Sequence, residues 1–309
     1  RDFDGKTKDE VVDDIHSYQN EADIPLLIGV DEEGGTVLRV SSNPNLRETP
    51  FLSPKDTYAD GGWDAVKQDA EEKADLLLSL GINVNLAPVC DMTSDEYGFM
   101  YDRSFSSDVD MENRYVRTVV ETSKSKKLGT VLKHFPGYGN NSDTHTGIAY
   151  DDRDYSEFEN TDFKPFYQGI ESGADCILVS HNIVNCMDSE YPASLSQKVH
   201  DILRNEFKFD GVIMTDDLIM DAITDFTGDE AAAVTAAKCG NDLLCCSSVD
   251  TQYLAVLEAV QNGEIPEAQV DASVKRILKW KQNLGIFNID TYQKKVKSTE
   301  PTDTVGSEE

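Results

Sequence analysis

Three of the five histidines in this 309-residue chain stand at or just after short apolar runs. The richest stretch is Lys133-His134-Phe135-Pro136-Gly137-Tyr138-Gly139-Asn140-Asn141-Ser142-Asp143-Thr144-His145. A run ends there in a cation and an imidazole, and a Pro/Gly-rich loop then carries Asp-x-His. A carboxylate two residues from an imidazole can reach its N–H, fix the tautomer and raise its basicity. A capping Asp beside a solvent-facing His fits the same spacing, which does not choose between the two. His181 ends another apolar run, whereas His16 and His200 lie within helical patterns, where a surface or core role is the expectation.

Met214-Thr215-Asp216-Asp217-Leu218 ends a further run. A carboxylate at a strand end can serve as nucleophile, general base or metal ligand. Side-chain alternation sends Asp216 and Asp217 to opposite faces, so one acid is expected to point inward, and periodicity does not say which. Asp217 also suits the cap of a following helix.

The elements that must position these groups alternate. Apolar runs occupy Pro25–Asp31, Asn83–Val89, Thr130–Phe135, Cys176–His181, Gly211–Asp216 and Asp242–Cys246. Helical periodicity fills Thr7–Asn20, Trp63–Leu80, Met111–Lys126, Ser156–Ser172, Gln197–Glu206 and Glu230–Cys239. Strands that are apolar throughout belong to a sheet buried on both faces, and repeated β-then-α order makes that sheet parallel.

A dinucleotide-binding open sheet should carry GxGxxG after an early strand. Asp31-Glu32-Glu33-Gly34-Gly35 is not that motif, its acids would repel a pyrophosphate, and no GxxxxGK[ST] occurs. Asp31, His134, His181 and Asp216 instead gather at C-terminal strand edges, the face on which a TIM barrel builds its active site. The expectation is an α/β fold, a TIM-type (β/α)8 barrel forming a single domain over residues 1–290. A polar tail without apolar periodicity, expected to be disordered, follows over 291–309. Only six runs read as strands, and the first barrel strand is expected upstream of Arg1.

The formal net charge of −30 argues against nucleic acid as a partner, since phosphate backbones are held by Lys/Arg clusters. It argues less strongly against anionic membranes, and a solvated acidic surface accounts for it. No apolar run reaches the roughly 20 residues of a membrane span, and no signal-peptide pattern opens the chain. The six cysteines (90, 176, 186, 239, 245 and 246) show no zinc-type spacing and read as free thiols, which suits a reducing or anaerobic setting. Localisation stays open: the acidic chain and polar tail favour export to the cell envelope or beyond, and the thiols the opposite.

KHFPGYG followed by DTH resembles the signature of family 3 glycoside hydrolases of the β-N-acetylglucosaminidase branch, whose usual form is KHFPGHG followed by DSH. The resemblance extends to GVDEEGG with Arg39 downstream, to Arg103-Ser104-Phe105 and to FDGVIMTDDLIM. These motifs follow the family's order over about residues 25 to 285. The resemblance implies that Asp216 is the nucleophile and that Asp143 and His145 form the acid/base dyad. It places sugar-binding groups at Asp31, Arg39, Arg103, Lys133 and His134, with His181 at a strand end that the family also uses. The implied reaction is a double displacement on terminal N-acetylglucosamine of peptidoglycan fragments or chitin oligosaccharides, with neither metal nor cofactor, by a monomer. Two departures bear on the acid/base loop: Tyr138 stands where the family often has His, and Thr146-Gly147-Ile148-Ala149 replaces the usual run towards Leu-Pro.

Three other readings use the same residues. A phosphorylase would keep the site and pass the sugar to phosphate, which a histidine repels less than a carboxylate would. A Schiff-base lyase would use Lys133 as amine nucleophile, against which stand the acids around it. A non-catalytic sugar-binding barrel is the third, against which stands the complete Asp216, Asp143 and His145 set.

Overall fold

The computed structural model describes residues 2–141, 143–144 and 147–293. The expected tail over 291–309 lies mostly outside them.

The chain starts with α1 (Lys8–Glu21), opened by a capping box in which Thr7 and Glu10 satisfy each other's backbone N–H groups. Strands β1 (Gly29–Val30), β2 (Val84–Asn85), β3 (Gly129–Phe135), β5 (Cys176–Val179) and β7 (Val212–Thr215) then form one sheet. Its order is β1-β2-β3-β5-β7, and every pairing is parallel. Between the sheet strands come α2 (Pro54–Ser79), α3 (Val109–Ser125), α5 (Phe163–Ser172) and α6 (Gln197–Asp201), as the crossovers between parallel strands require. A separate parallel ribbon, β4 (Tyr150–Asp151) with β6 (Ile183–Val184), sits beyond the C-terminal ends of β3 and β5.

Of the expected (β/α)8 barrel, the described residues show a parallel half-barrel. The run at 242–246 contributes a single parallel bridge, Met214 to Leu243, in place of a full ladder. β1 likewise uses only two residues of the run that suggested it. Apolar composition marks buried backbone, and not all of it pairs.

After β7, α8 (Asp229–Lys238) and α9 (Val249–Gln261) pack together through Ala232, Ala236 and Val256. Both faces of the sheet are buried. Leu132, Ile177 and Ile213 pack outward with Val116, Val120, Phe158, Phe166 and Phe207 on the surrounding elements. Their sequence neighbours Val131, Cys176, Leu178, Val212 and Met214 turn inward, onto Trp280 and Leu284 of the C-terminal helix α10 (Glu267–Asn283) and its end. Two-sided burial is the reason the strands read as unbroken apolar runs.

Two helices differ from their periodicity. The pattern over 156–172 divides into α4 (Tyr155–Asn160) and α5, with Thr161 non-helical between them. The ring of Pro165 excludes a helical carbonyl four residues back, at Thr161. Helix α2 begins nine residues before the periodic stretch and kinks at Gly61 and Gly62. No helix among the described residues is long and apolar enough to cross a membrane.

Candidate active site

The C-terminal ends of β1, β3, β5 and β7 surround a cavity of about 810 Å³, lined by Asp31, Glu33, Arg39, Arg103, Lys133, His134, Asp143, Asp216 and Asp217 among others. It brings together seven of the residues given site roles from sequence. His181 lies just behind it, and His145 lies outside the described residues.

Lys133 and His134 are consecutive, and regular alternation would part them. The register of β3 against β5 shifts between Leu132 and Phe135, and both side chains reach the cavity. The Lys133 ammonium is buried between Asp31, at 2.7 Å, and Glu33, at 2.6 Å. Burial works to neutralise it, but the Glu33 and Asp31 carboxylates outweigh burial and hold its pKa above the usual lysine value. A lysine so held has no lone pair to offer a carbonyl, which removes the observation a Schiff-base lyase would need.

Glu33 joins both cations. It accepts Arg103 Nε at 2.9 Å and Nη2 at 2.8 Å in a two-point clamp, besides Lys133. Burial pushes its carboxyl up, yet Lys133 and Arg103 bring it down to about 2. The same Arg103 Nη2 lies 3.2 Å from His134 Nε2, while His134 Nδ1 lies 2.7 Å from Asp91. A guanidinium only donates, so a neutral His134 ring carries its proton on Nδ1, towards Asp91.

Arg39 is exposed at the rim, and its backbone is fixed from below. The buried Glu32 carboxylate accepts the N–H groups of Arg39, Val40 and Ser41 at 3.0, 2.7 and 3.2 Å. Asn85, at the end of β2, exchanges two 3.0 Å hydrogen bonds with the Glu32 backbone and ties that turn to the sheet.

Asp216 follows β7 directly. Burial raises its pKa, but the imidazoles of His181 and His134, the Asp217 amide and Lys133 outweigh that and keep the carboxyl below its ordinary range. Asp217 also borders the cavity, yet its carboxylate accepts the Ile219 and Ser247 amides at 3.2 Å each and the Ser247 hydroxyl. It does not cap the following helix, α7 (Asp221–Thr224), whose N-cap is Met220. His181 is buried, with Nδ1 2.7 Å from Ser194 Oγ and Nε2 3.0 Å from the Asp217 carbonyl.

The loop after β3 is built on a salt-bridge knot. Arg153 pairs with Asp151 at 2.8 Å and Asp162 at 3.0 Å, and donates to the Gly137 carbonyl at 3.1 Å. Gly137 and Gly139 have positive φ, and a Cβ on either would collide with Asp162 or with the Arg153 guanidinium. A second cavity of about 700 Å³ opens on this knot, away from Asp216 and Lys133.

The sequence profile described as the glycosyl hydrolase family 3 N terminal domain matches residues 4–280. The chain belongs to glycosyl hydrolase family 3. A β-hexosaminidase of Hydrogenovibrio crunogenus is 34% identical over 224 residues, covering 71% of this chain and 62% of that protein. A β-hexosaminidase of Nitrosomonas eutropha is 32% identical over 249 residues, covering 78% of this chain and 70% of that one. A solved family 3 β-N-acetylglucosaminidase from a Paenibacillus species superposes with a TM-score of 0.85 at 29% identity, covering 91% of this chain and 55% of its own. The family 3 chain described here thus spans less than two thirds of the Hydrogenovibrio and Paenibacillus proteins.

Three groups of this family 3 site had no role assigned from sequence: Glu32, Glu33 and Asp91. A signal existed for Glu33, since a lysine at a buried strand end demands a counter-ion and GVDEEGG offers one. Asp91 stands 43 residues from His134 in a stretch without periodicity, and nothing local announces the pairing.

Proposed function

We propose that this family 3 chain carries the site of a retaining exo-β-N-acetylglucosaminidase, releasing terminal N-acetylglucosamine from peptidoglycan fragments or chitin oligosaccharides. The observation that carries the reading is the Asp216 carboxylate: it borders a polar cavity, is favoured in its ionised form, and shares that cavity with Asp143 and the Lys133–Arg103 pair. The names of the β-hexosaminidase relatives and of the Paenibacillus enzyme support the same chemistry.

In the first step an Asp216 oxygen bonds to the anomeric carbon as the bond to the aglycone oxygen breaks, and that oxygen takes a proton from the His145 imidazolium. In the second, the His145 imidazole removes a proton from water, the hydroxide oxygen bonds to the anomeric carbon, and Asp216 departs as carboxylate. Retention ordinarily uses two carboxyl groups. An imidazole with an unperturbed pKa near 6.5 alternates between acid and base close to neutrality. Asp143 orients it, Lys133, Arg103, His134, Asp31 and Arg39 hold sugar hydroxyls or the N-acetyl group, and His181 fixes the strand end bearing the nucleophile.

The test is turnover of a chromogenic N-acetyl-β-glucosaminide beside the plain β-glucoside, with and without phosphate. Free N-acetylglucosamine in both buffers, with the N-acetyl substrate preferred, supports the reading. N-acetylglucosamine 1-phosphate as the product in phosphate identifies a phosphorylase, and wild-type turnover by Asp216→Ala overturns the nucleophile assignment.

A further inference from the structure

Tyr138 is fully buried in the loop that follows β3, packed with Val89, Met100 and Phe99. Its backbone N–H donates to Asp91 Oδ1 at 2.7 Å, and the other oxygen of that carboxylate meets the His134 ring. Its ring and that of His134 meet edge to face, with centroids 5.3 Å apart. Its hydroxyl then reaches six residues onward and shares a 2.5 Å hydrogen bond with Thr144 Oγ1, whose residue is also fully buried. Thr144 is the middle residue of Asp143-Thr144-His145, and Asp143 borders the cavity that holds Asp216.

A phenol and a threonine hydroxyl, both out of water, are costly to leave unpaired, so the contact holds Thr144 against Tyr138. Burial pushes the Tyr138 phenol far above its ordinary pKa, and the hydroxyl keeps its proton throughout the working range. The base of the loop is pinned separately by Arg153 on Gly137 and by a 2.7 Å hydrogen bond from Thr93 to Asn140. Those contacts stop at residue 141 or before it. Beyond them, the Tyr138–Thr144 bond ties Thr144, next to Asp143, to the buried Asp91–His134 pair.

We propose that Tyr138 is a positioning residue for proton transfer, its hydroxyl setting through Thr144 where the Asp143/His145 dyad meets the leaving oxygen. The role rests on the dyad's assignment as acid/base, and it supplies a use for the tyrosine that replaces the family's customary histidine. A misplaced acid penalises a leaving group that needs a proton and spares one that departs as a stable anion.

The experiment compares kcat/KM, which reports the glycosylation step, for an N-acetylglucosaminyl disaccharide and for the 2,4-dinitrophenyl N-acetyl-β-glucosaminide. Tyr138→Phe and Thr144→Val are expected to lower the first about tenfold or more and the second by no more than about twofold. The double variant should be no worse than either single one, because both remove the same bond. Thr144→Ser keeps the hydroxyl and should retain the wild-type pattern. Equal losses on both substrates, or no loss, overturn the proposal, and because Thr144→Val is isosteric it decides the matter if Tyr138→Phe does not fold. His145→Ala is the control on the underlying reading. If it loses neither substrate selectively, the dyad assignment has failed, whereas a selective loss there with none at Tyr138 overturns the positioning role alone.

Discussion

The backbone N–H of Asp217 donates to Asp216 Oδ1 at 2.9 Å, while the Asp217 carboxylate turns away to Ser247 and Ile219. Adjacent acids thus have separate duties: one carboxylate is held for the cavity and the other ties two loops together. Asp216→Ala should cost at least about 10³ in kcat/KM, the scale on which removing a covalent nucleophile is felt. Asp217→Ala should cost far less in rate and lower the melting temperature by a few degrees, through loss of the Ser247 contacts. Steady-state kinetics and thermal melts of the two variants check this, and the reverse ordering in rate would exchange the roles.

His181 acts on Asp216 by charge and by position. Its Nε2 meets the Asp217 carbonyl, and its imidazole is the strongest of the influences that oppose burial and lower the Asp216 pKa. The proposed nucleophile works only when ionised, so rate is lost as pH falls through the Asp216 pKa. His181→Gln removes the imidazole that most favours the carboxylate, and the acid limb of the kcat/KM profile should move to higher pH. An acid limb that stays in place, or moves down, would show that His181 serves packing alone.

Glu33 is the stability counterpart. Its folded pKa of about 2 lies below the ordinary 4.5, so its contribution is fully present above 4.5 and is lost as pH falls from there towards 2. Glu33→Gln should cost roughly 3 kcal/mol or more at neutral pH, because Lys133 and Arg103 keep their charges inside the barrel face with a shared partner gone. Urea unfolding of both proteins at a series of pH values should show this difference narrowing as pH descends through that window. A difference independent of pH would mean that Glu33 holds its place by shape and not by charge.

Order and strand ends were legible in the sequence because they follow from local rules. Apolar runs bounded by helical periodicity placed all five sheet strands, and polar residues at their ends marked the face that carries the cavity. Closure was not legible: whether 242–246 forms a ladder or one bridge depends on neighbours far away in the chain. The site divides along the same line. Lys133, His134, Asp31 and Asp216 announce themselves where runs end, whereas Asp91 and Glu32 act through partners that only folding brings near. At Lys133 and His134 a register shift brings two consecutive side chains to one cavity, which regular alternation would not. Periodicity left Asp216 and Asp217 equivalent, and what distinguishes them is the Ser247 contact, a pairing across 30 residues.

The charge imbalance makes a last prediction that does not depend on the site. Asp and Glu number 58 against 28 Lys and Arg, and compaction brings those like charges closer than they stand in the unfolded chain. Many of the basic residues are already committed to ion pairs, such as Lys126 with Asp75 and Lys238 with Glu264, and the acids outnumber what those pairs can neutralise. Salt shortens the screening length from about 10 Å at 0.1 M to about 3 Å at 1 M, which removes the repulsion between separated carboxylates first. The melting temperature should therefore rise by several degrees over that range, with sodium and potassium chloride giving equal gains. Sucrose matched in osmolality tests whether solute exclusion is the cause, because it leaves the charges unscreened. If chloride salts lower the melting temperature, the favourable surface pairs outweigh the net repulsion, and the acidic surface does not destabilise the fold.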